Sequence, residues 1–117
     1  MRIPDVLQGV GRPVVCYPKL IDVLGGIKET FFICQLLYWT GKQRDREGWI
    51  YKTQKQIKKE IGLTRYEQET VRKNLKKLGI LEEKYQGIPR KLHFRVNINR
   101  LREIWEEYLR KTAEVEE

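Results

Sequence analysis

Eight side chains between residues 65 and 77 have the chemistry to grip a polyanion or read hydrogen-bonding edges: Arg65, Tyr66, Glu69, Thr70, Arg72, Lys73, Lys76 and Lys77. At about 100° per residue, with Val71 at the centre of a buried face, Thr64, Glu67, Gln68, Leu75 and Leu78 fall within about 60° of it. Arg65, Tyr66, Glu69, Lys73, Lys76 and Lys77 fall on the opposite side, with Arg72 and Thr70 on the flanks. The spacing therefore predicts a helix anchored by Val71, Leu75 and Leu78 that presents a basic, hydrogen-bonding face. A major groove admits one helix, and the N-terminal half of that helix usually reaches the base edges. Arg65, Tyr66, Glu69 and Thr70 are the candidates for such contacts. Lys73, Lys76 and Lys77 lie further along, where they suit phosphates, which position without specifying.

A second basic group follows: Lys84, Arg90, Lys91 and Arg95. Residues 81–86 read as a strand, Gly87-Ile88-Pro89-Arg90 as a turn, and Lys91 to Asn97 as a second strand. In the second strand Leu92, Phe94, Val96 and Ile98 point one way and Lys91, His93, Arg95 and Asn97 the other. His93 is the only histidine; on the outward face, without partners at ligand spacing, it is expected to touch phosphate or nothing. Glu82 and Glu83 are adjacent on a strand and so point to opposite faces, which argues against carboxylates converging on a metal. No phosphate-cradling loop, dinucleotide fingerprint, nucleophile elbow or Cys/His metal spacing is present. The expectation is a binding protein rather than an enzyme, with no catalytic residue, no metal and no cofactor.

The elements that position these residues announce themselves locally. Thr53 is followed three residues later by Gln56, and Thr64 by Glu67, each matching a capping box at a helix start. Between them Gly62-Leu63 breaks one helix from the next, giving two apolar-faced helices joined at a glycine, the layout of a DNA-reading pair. In the first of the two, Ile57 and Ile61 anchor while Lys55, Lys58 and Lys59 include solvent-facing cations. Upstream, Pro18 suits the first turn of a helix through Leu24, ended by Gly25-Gly26. From Ile27 to about Gln43 the chain is apolar on nearly every side and reads as the central core helix. The run from Arg44 to Gly48 is a polar loop, and Trp49-Ile50-Tyr51 a short strand. Val14-Val15-Cys16 either pairs as a strand or simply packs. Pro4, Gly9, Gly11 and Pro13 mark residues 1–13 as an irregular or strand-like arm.

The 117 residues are enough for one core, and the formal charge is +8. Its distribution matters more: residues 1–41 are net +1, residues 42–100 net +10 with seventeen basic against seven acidic side chains, and residues 101–117 net −3. So concentrated a basic block attracts a polyanion, and in cytoplasm the usual one is nucleic acid. Cys16 and Cys34 sit in apolar sequence and are expected to stay reduced. No apolar run spans a membrane and the N-terminus lacks a signal-peptide core, so the expected compartment is the cytoplasm. From Asn99 the chain turns helical again, with Leu101, Ile104, Trp105, Tyr108 and Leu109 on one stripe. That stripe either folds back on the core or pairs two protomers into a homodimer; the acidic end (Glu114, Glu116, Glu117) reads as frayed. Single-stranded RNA readers use an exposed aromatic platform on a sheet, and no such platform is evident in the sequence.

The order helix, core helix, short strand, helix, turn, helix, two-stranded hairpin resembles the winged helix-turn-helix family. More narrowly, YPKLIDVLGG, QLLYWTGK, GWIYKTQKQIKKEIGLTRYEQETVRKNLKKLGILEEK and RKLHFRVN look like a group of phage and mobile-element proteins. That group is similar to the N-terminal DNA-binding domains of phage and plasmid replication initiators. The resemblance covers roughly residues 14–100 and is sharpest at Gly62-Leu63-Thr64-Arg65, Leu75 and Gly79-Ile80-Leu81. It implies a mainly α fold with a small β-hairpin wing: an arm over 1–13, a winged helix-turn-helix domain over 14–98 and a C-terminal helix over 99–117. It also implies duplex DNA binding through the helix at Thr64 and the hairpin around Gly87, in replication or transcription control. The alternative from another class is a winged-helix module that docks a protein partner of the replication or transcription machinery.

Overall fold

The computed structural model describes residues 7–42 and 45–116, with side chains through 113. It is an α+β fold of five α-helices and a small antiparallel sheet. A 3₁₀ turn over Pro18–Leu20 leads into α1 (Ile21–Leu24), followed by α2 (Ile27–Trp39), β1 (Ile50–Tyr51), α3 (Gln54–Ile61), α4 (Arg65–Lys77), β2 (Leu81–Gln86), β3 (Lys91–Val96) and α5 (Ile98–Glu116). The expectations for Pro4, Gln43, Arg44 and Glu117, and for the side chains of Glu114 and Glu116, lie outside the described residues.

Each helix boundary has a local cause. Pro18 opens the 3₁₀ turn, and Gly25 ends α1 in the left-handed region at φ 94°, where a side chain would be strained. Both capping boxes form reciprocally. The Thr53 hydroxyl accepts from Gln56 N–H (3.1 Å) and the Gln56 side chain accepts from Thr53 N–H (2.8 Å). Thr64 and Glu67 do the same at 3.2 and 3.1 Å. Gly62, at φ 77°, closes α3 by donating to the Lys58 carbonyl at 2.8 Å.

The core gathers Leu24, Phe32, Ile33, Leu36, Ile50, Ile57, Leu63, Val71, Leu75, Ile80, Leu81, Phe94 and Val96. Phe32 of α2 meets Phe94 of β3 edge to face, 5.7 Å between centroids. β3 is the central strand, in the order β1-β3-β2, with Ile50 opposite Phe94 and Glu83 opposite Phe94 on the other side. The even residues of β3 face the core as the alternation predicts, but only as far as Val96. Ile98 instead begins α5 and is largely exposed. The Asn97 side chain accepts from Arg100 N–H at 3.0 Å and so caps the helix, which ends the strand.

Two other segments differ in setting from what their composition alone conveys. α2 is less uniformly apolar in its setting than its composition: Ile27 is 57% exposed, whereas Glu29 and Thr30 are buried. Thr30 is satisfied by donating to the Gly26 carbonyl (2.8 Å), and Glu29 accepts from Asn74 (3.0 Å). Val14-Val15-Cys16 does not form a strand, and Val15 is exposed. Arg12 reaches back to the Tyr38 hydroxyl. Cys16 and Cys34 are unbonded thiols, Cys34 buried, and burial pushes its thiol pKa up.

In α5, Leu101 and Ile104 pack against the core. Trp105 and Tyr108 stack at 5.6 Å, and the Tyr108 hydroxyl donates to Asp22 at the foot of α1 (3.3 Å). The first half of the stripe thus folds back on its own chain. Leu109 is about half exposed. Among the described residues no helix is long and apolar enough to cross a membrane.

Candidate nucleic-acid interface

α4 is held so tightly on three sides that its fourth is sharply defined. Toward the core lie Gln68, Val71 and Leu75, all buried. Gln68 does more than fill space: its Nε2 donates to the carbonyls of Gln54 and Leu63, both at 2.9 Å. One amide therefore ties α4 to the start of α3 and to the turn between them, fixing how the two helices cross. Toward α2 lie Glu67 and Asn74. Glu67 pairs with Lys28 at 2.7 Å, and this hydrogen bond, with the two from Thr64, pulls its carboxyl pKa from 4.5 to about 2. The same contact raises the Lys28 pKa.

Toward β2 runs the row Arg65, Glu69, Arg72 and Lys76. Arg72 clamps Glu83 with both arms of its guanidinium, Nε at 2.9 Å and Nη2 at 2.7 Å. Lys76 approaches the same carboxylate at 3.5 Å. Burial pushes the Glu83 pKa up, but the Arg72 and Lys76 charges outweigh it and leave it below the ordinary carboxylate value. Arg72 and Glu83 are only 14% and 11% exposed. Arg65 sits 3.4 Å from Glu69, both largely in solvent. An open groove of about 400 Å³ runs along this row, lined by Gln54, Arg65, Glu69, Arg72, Lys76 and Tyr85.

The outward row is Tyr66, Thr70, Lys73 and Lys77. All four are exposed, Tyr66 by 77%. Thr70 donates to the Tyr66 carbonyl, and among the described residues no carboxylate pairs with Lys73 or Lys77. The expected division of α4 into a base-reading end and a phosphate-gripping end is thus crossed by a second division, between rows. Arg72, expected as a nucleic-acid contact, is engaged as a clamp between α4 and β2.

The hairpin cations also separate. Glu83 and Tyr85 face α4, so alternation puts Glu82 and Lys84 on the opposite face of the sheet, with Lys91, His93 and Arg95 beside them. On that face Lys84 and Arg95 lie over the Trp49 ring at 4.3 and 4.4 Å, and Lys91 lies 5.0 Å from the Tyr51 centroid. Arg95 also pairs with Glu82 at 3.2 Å and donates to the Glu47 carbonyl. Arg95, expected as a wing contact, is therefore engaged within the fold. His93 packs against Tyr51 at 5.4 Å and its Nδ1 lies 3.0 Å from the Lys91 carbonyl, rather than standing free. Arg90 alone of the four belongs to the α4 side, over Tyr85 at 4.8 Å. Trp49, Tyr51 and His93 do gather on one sheet face, which the sequence did not suggest, but Trp49 is covered by the two cations.

No protein-family model, curated protein or solved structure matches this chain. Among the described residues no cluster of His, Cys, Asp or Glu could hold a metal ion.

Proposed function

We propose that the chain is a winged helix-turn-helix protein that binds duplex DNA through α4 and the β2–β3 hairpin, in replication or transcription control of phage or mobile-element type. The observation that carries this reading is the outward row of α4: exposed Tyr66, Thr70, Lys73 and Lys77, without carboxylate partners among the described residues, on a helix held by its buried face, by the Lys28–Glu67 pair and by the Arg72–Glu83 clamp. A rigid helix with a free basic row suits insertion in a major groove about 12 Å wide. The element order and the strand order β1-β3-β2 are those expected of a winged helix.

Arg65 at the N-terminal end takes the base-reading role and Lys73 a phosphate. Gel shifts of Arg65→Ala and Lys73→Glu across a salt series test this. Losing Arg65 relaxes sequence preference by about 1–3 kcal/mol, whereas Lys73→Glu weakens all duplexes about equally. With Lys73, Lys76, Lys77, Arg90 and Lys91 each meeting a phosphate, log affinity falls against log salt with a slope of about −4.5. If neither variant changes duplex affinity, the helix does not read DNA and the protein-docking alternative takes over.

A further inference from the structure

The tip of the hairpin carries a feature that neither packing nor α4 explains. Ile88 is 103% exposed, more than any other large hydrophobic among the described residues. It stands between Gly87, at φ 98°, and Pro89, and all of residues 87–90 are exposed. Turns of this kind are usually closed by small or polar residues, which expose no aliphatic surface. From Lys84 to His93 the chain has no carboxylate, but it has Lys84, Arg90 and Lys91. The two cations nearest the tip lie on opposite faces: Arg90 over Tyr85 on the α4 side, and Lys91 over Tyr51 on the other. Tyr85 also lines the groove beside Arg65, Arg72 and Lys76, so the tip adjoins the β2-facing side of α4.

An apolar point with a cation on each flank matches an apolar interior lying between two rows of anions. A base-pair step reached through the minor groove, about 6 Å wide between its phosphates, has that arrangement. We infer that Ile88, backed by Pro89, wedges into a base step while Arg90 and Lys91 hold the phosphates on either side, so that this protein bends the DNA it binds. The inference rests on the duplex-binding reading of α4. An anionic lipid surface also combines apolar and anionic character, but stable membrane anchoring needs more apolar area than one isoleucine supplies. The surface next to the tip is a polar groove rather than an apolar face.

The probe is an AT-rich duplex of about 20 base pairs containing TA steps, which unstack most readily. It carries a donor and an acceptor at its ends and 2-aminopurine beside one TA step. Binding of the full chain raises both end-to-end energy transfer and 2-aminopurine emission. Ile88→Ser loses both signals while the salt slope, which the cations set, stays close to the parent's, and Ile88→Leu restores them. Because the side chain is wholly exposed, folding is unaffected, which a thermal melt of each variant verifies. Tight binding without unstacking, or an Ile88→Ser variant that still bends the duplex, overturns the wedge and leaves the duplex reading standing. Absence of any duplex binding removes both. Vesicles of anionic phospholipid form the last arm: binding there that depends on Ile88, with an unbent duplex, makes the tip a membrane contact and overturns the proposal.

Discussion

Arg72→Ala and Glu83→Ala separate a clamp from a nucleic-acid contact, because the two roles predict opposite signs for the second variant. The clamp comprises two charge-assisted hydrogen bonds, 2.9 and 2.7 Å, between side chains that are mostly withdrawn from water. Breaking a fully buried pair by removing one partner costs about 3–5 kcal/mol. Here some water remains, and in Arg72→Ala the Lys76 ammonium stays near the orphaned Glu83, so about 2–3 kcal/mol is expected. Glu83→Ala strands two cations together and costs as much or more. For a domain of this size that corresponds to a melting temperature lower by about 8–15 °C.

Thermal denaturation followed by circular dichroism measures the stability, and gel shifts well below both melting points measure the binding. As a clamp, Arg72 can be lost with the salt slope unchanged, and the paired variant Arg72→Met with Glu83→Leu regains most of the stability because an apolar pair replaces the ionic one. As a duplex contact, Arg72→Ala would lower the slope by about 0.9, and Glu83→Ala would free a cation and tighten binding. An Arg72→Ala protein that melts with the parent but binds with a reduced slope refutes the clamp.

The Glu67 carboxyl is depressed by Lys28 and Thr64, so its contribution is complete above 4.5 and is lost as pH falls through about 2. Glu67→Gln keeps an acceptor for the cap but not the ion pair; its urea midpoint should therefore fall less than the parent's between those limits, and parallel curves would remove the Lys28–Glu67 pair from the account. Gln68→Leu keeps the volume but leaves the Gln54 and Leu63 carbonyls without their donor, at a cost of about 2–3 kcal/mol. A denaturant midpoint equal to the parent's would mean that apolar packing alone sets the crossing of α3 and α4.

What the sequence discloses about this fold follows the range of the interactions involved. Thr53 with Gln56, and Thr64 with Glu67, are pairs three residues apart, so both helix starts are legible without tertiary knowledge. Alternation placed Phe94 and Val96 inside and put Glu82 and Glu83 on opposite faces. It overran at Ile98 because the Asn97 cap, a single side chain, outweighs a continuing pattern. The fate of Arg72 was not legible, since Glu83 reaches it only after the chain reverses through Gly79 and enters β2. The partners of Arg95 are hidden for the same reason: Trp49, whose ring it covers, is forty-six positions away in the chain. Periodicity puts Gln68 near the buried face, but its two hydrogen bonds, donated to the carbonyls of Gln54 and Leu63, require the start of α3 and the turn before α4 to meet around it.

These non-local partners change what the charge distribution means. Residues 42–100 carry a net +10, yet Arg72 and Arg95 are met by Glu83 and Glu82, and Lys52 by Glu60. Glu60, Glu67, Glu82 and Glu83 thus brace parts of the fold, and among the described residues the cations without a carboxylate partner include Lys73 and Lys77 on the outward row of α4, Lys55, Lys58 and Lys59 on α3, and Arg90 and Lys91 at the hairpin tip. Like charges gathered in this way repel, and the repulsion works against the compact state. The capping boxes, the Gln68 bridge and the Arg72 clamp must offset it to hold α4 in place. A polyanion on the outward row would relieve that repulsion only in the folded chain, so the bracing that makes α4 rigid also makes its free face favour an anionic partner.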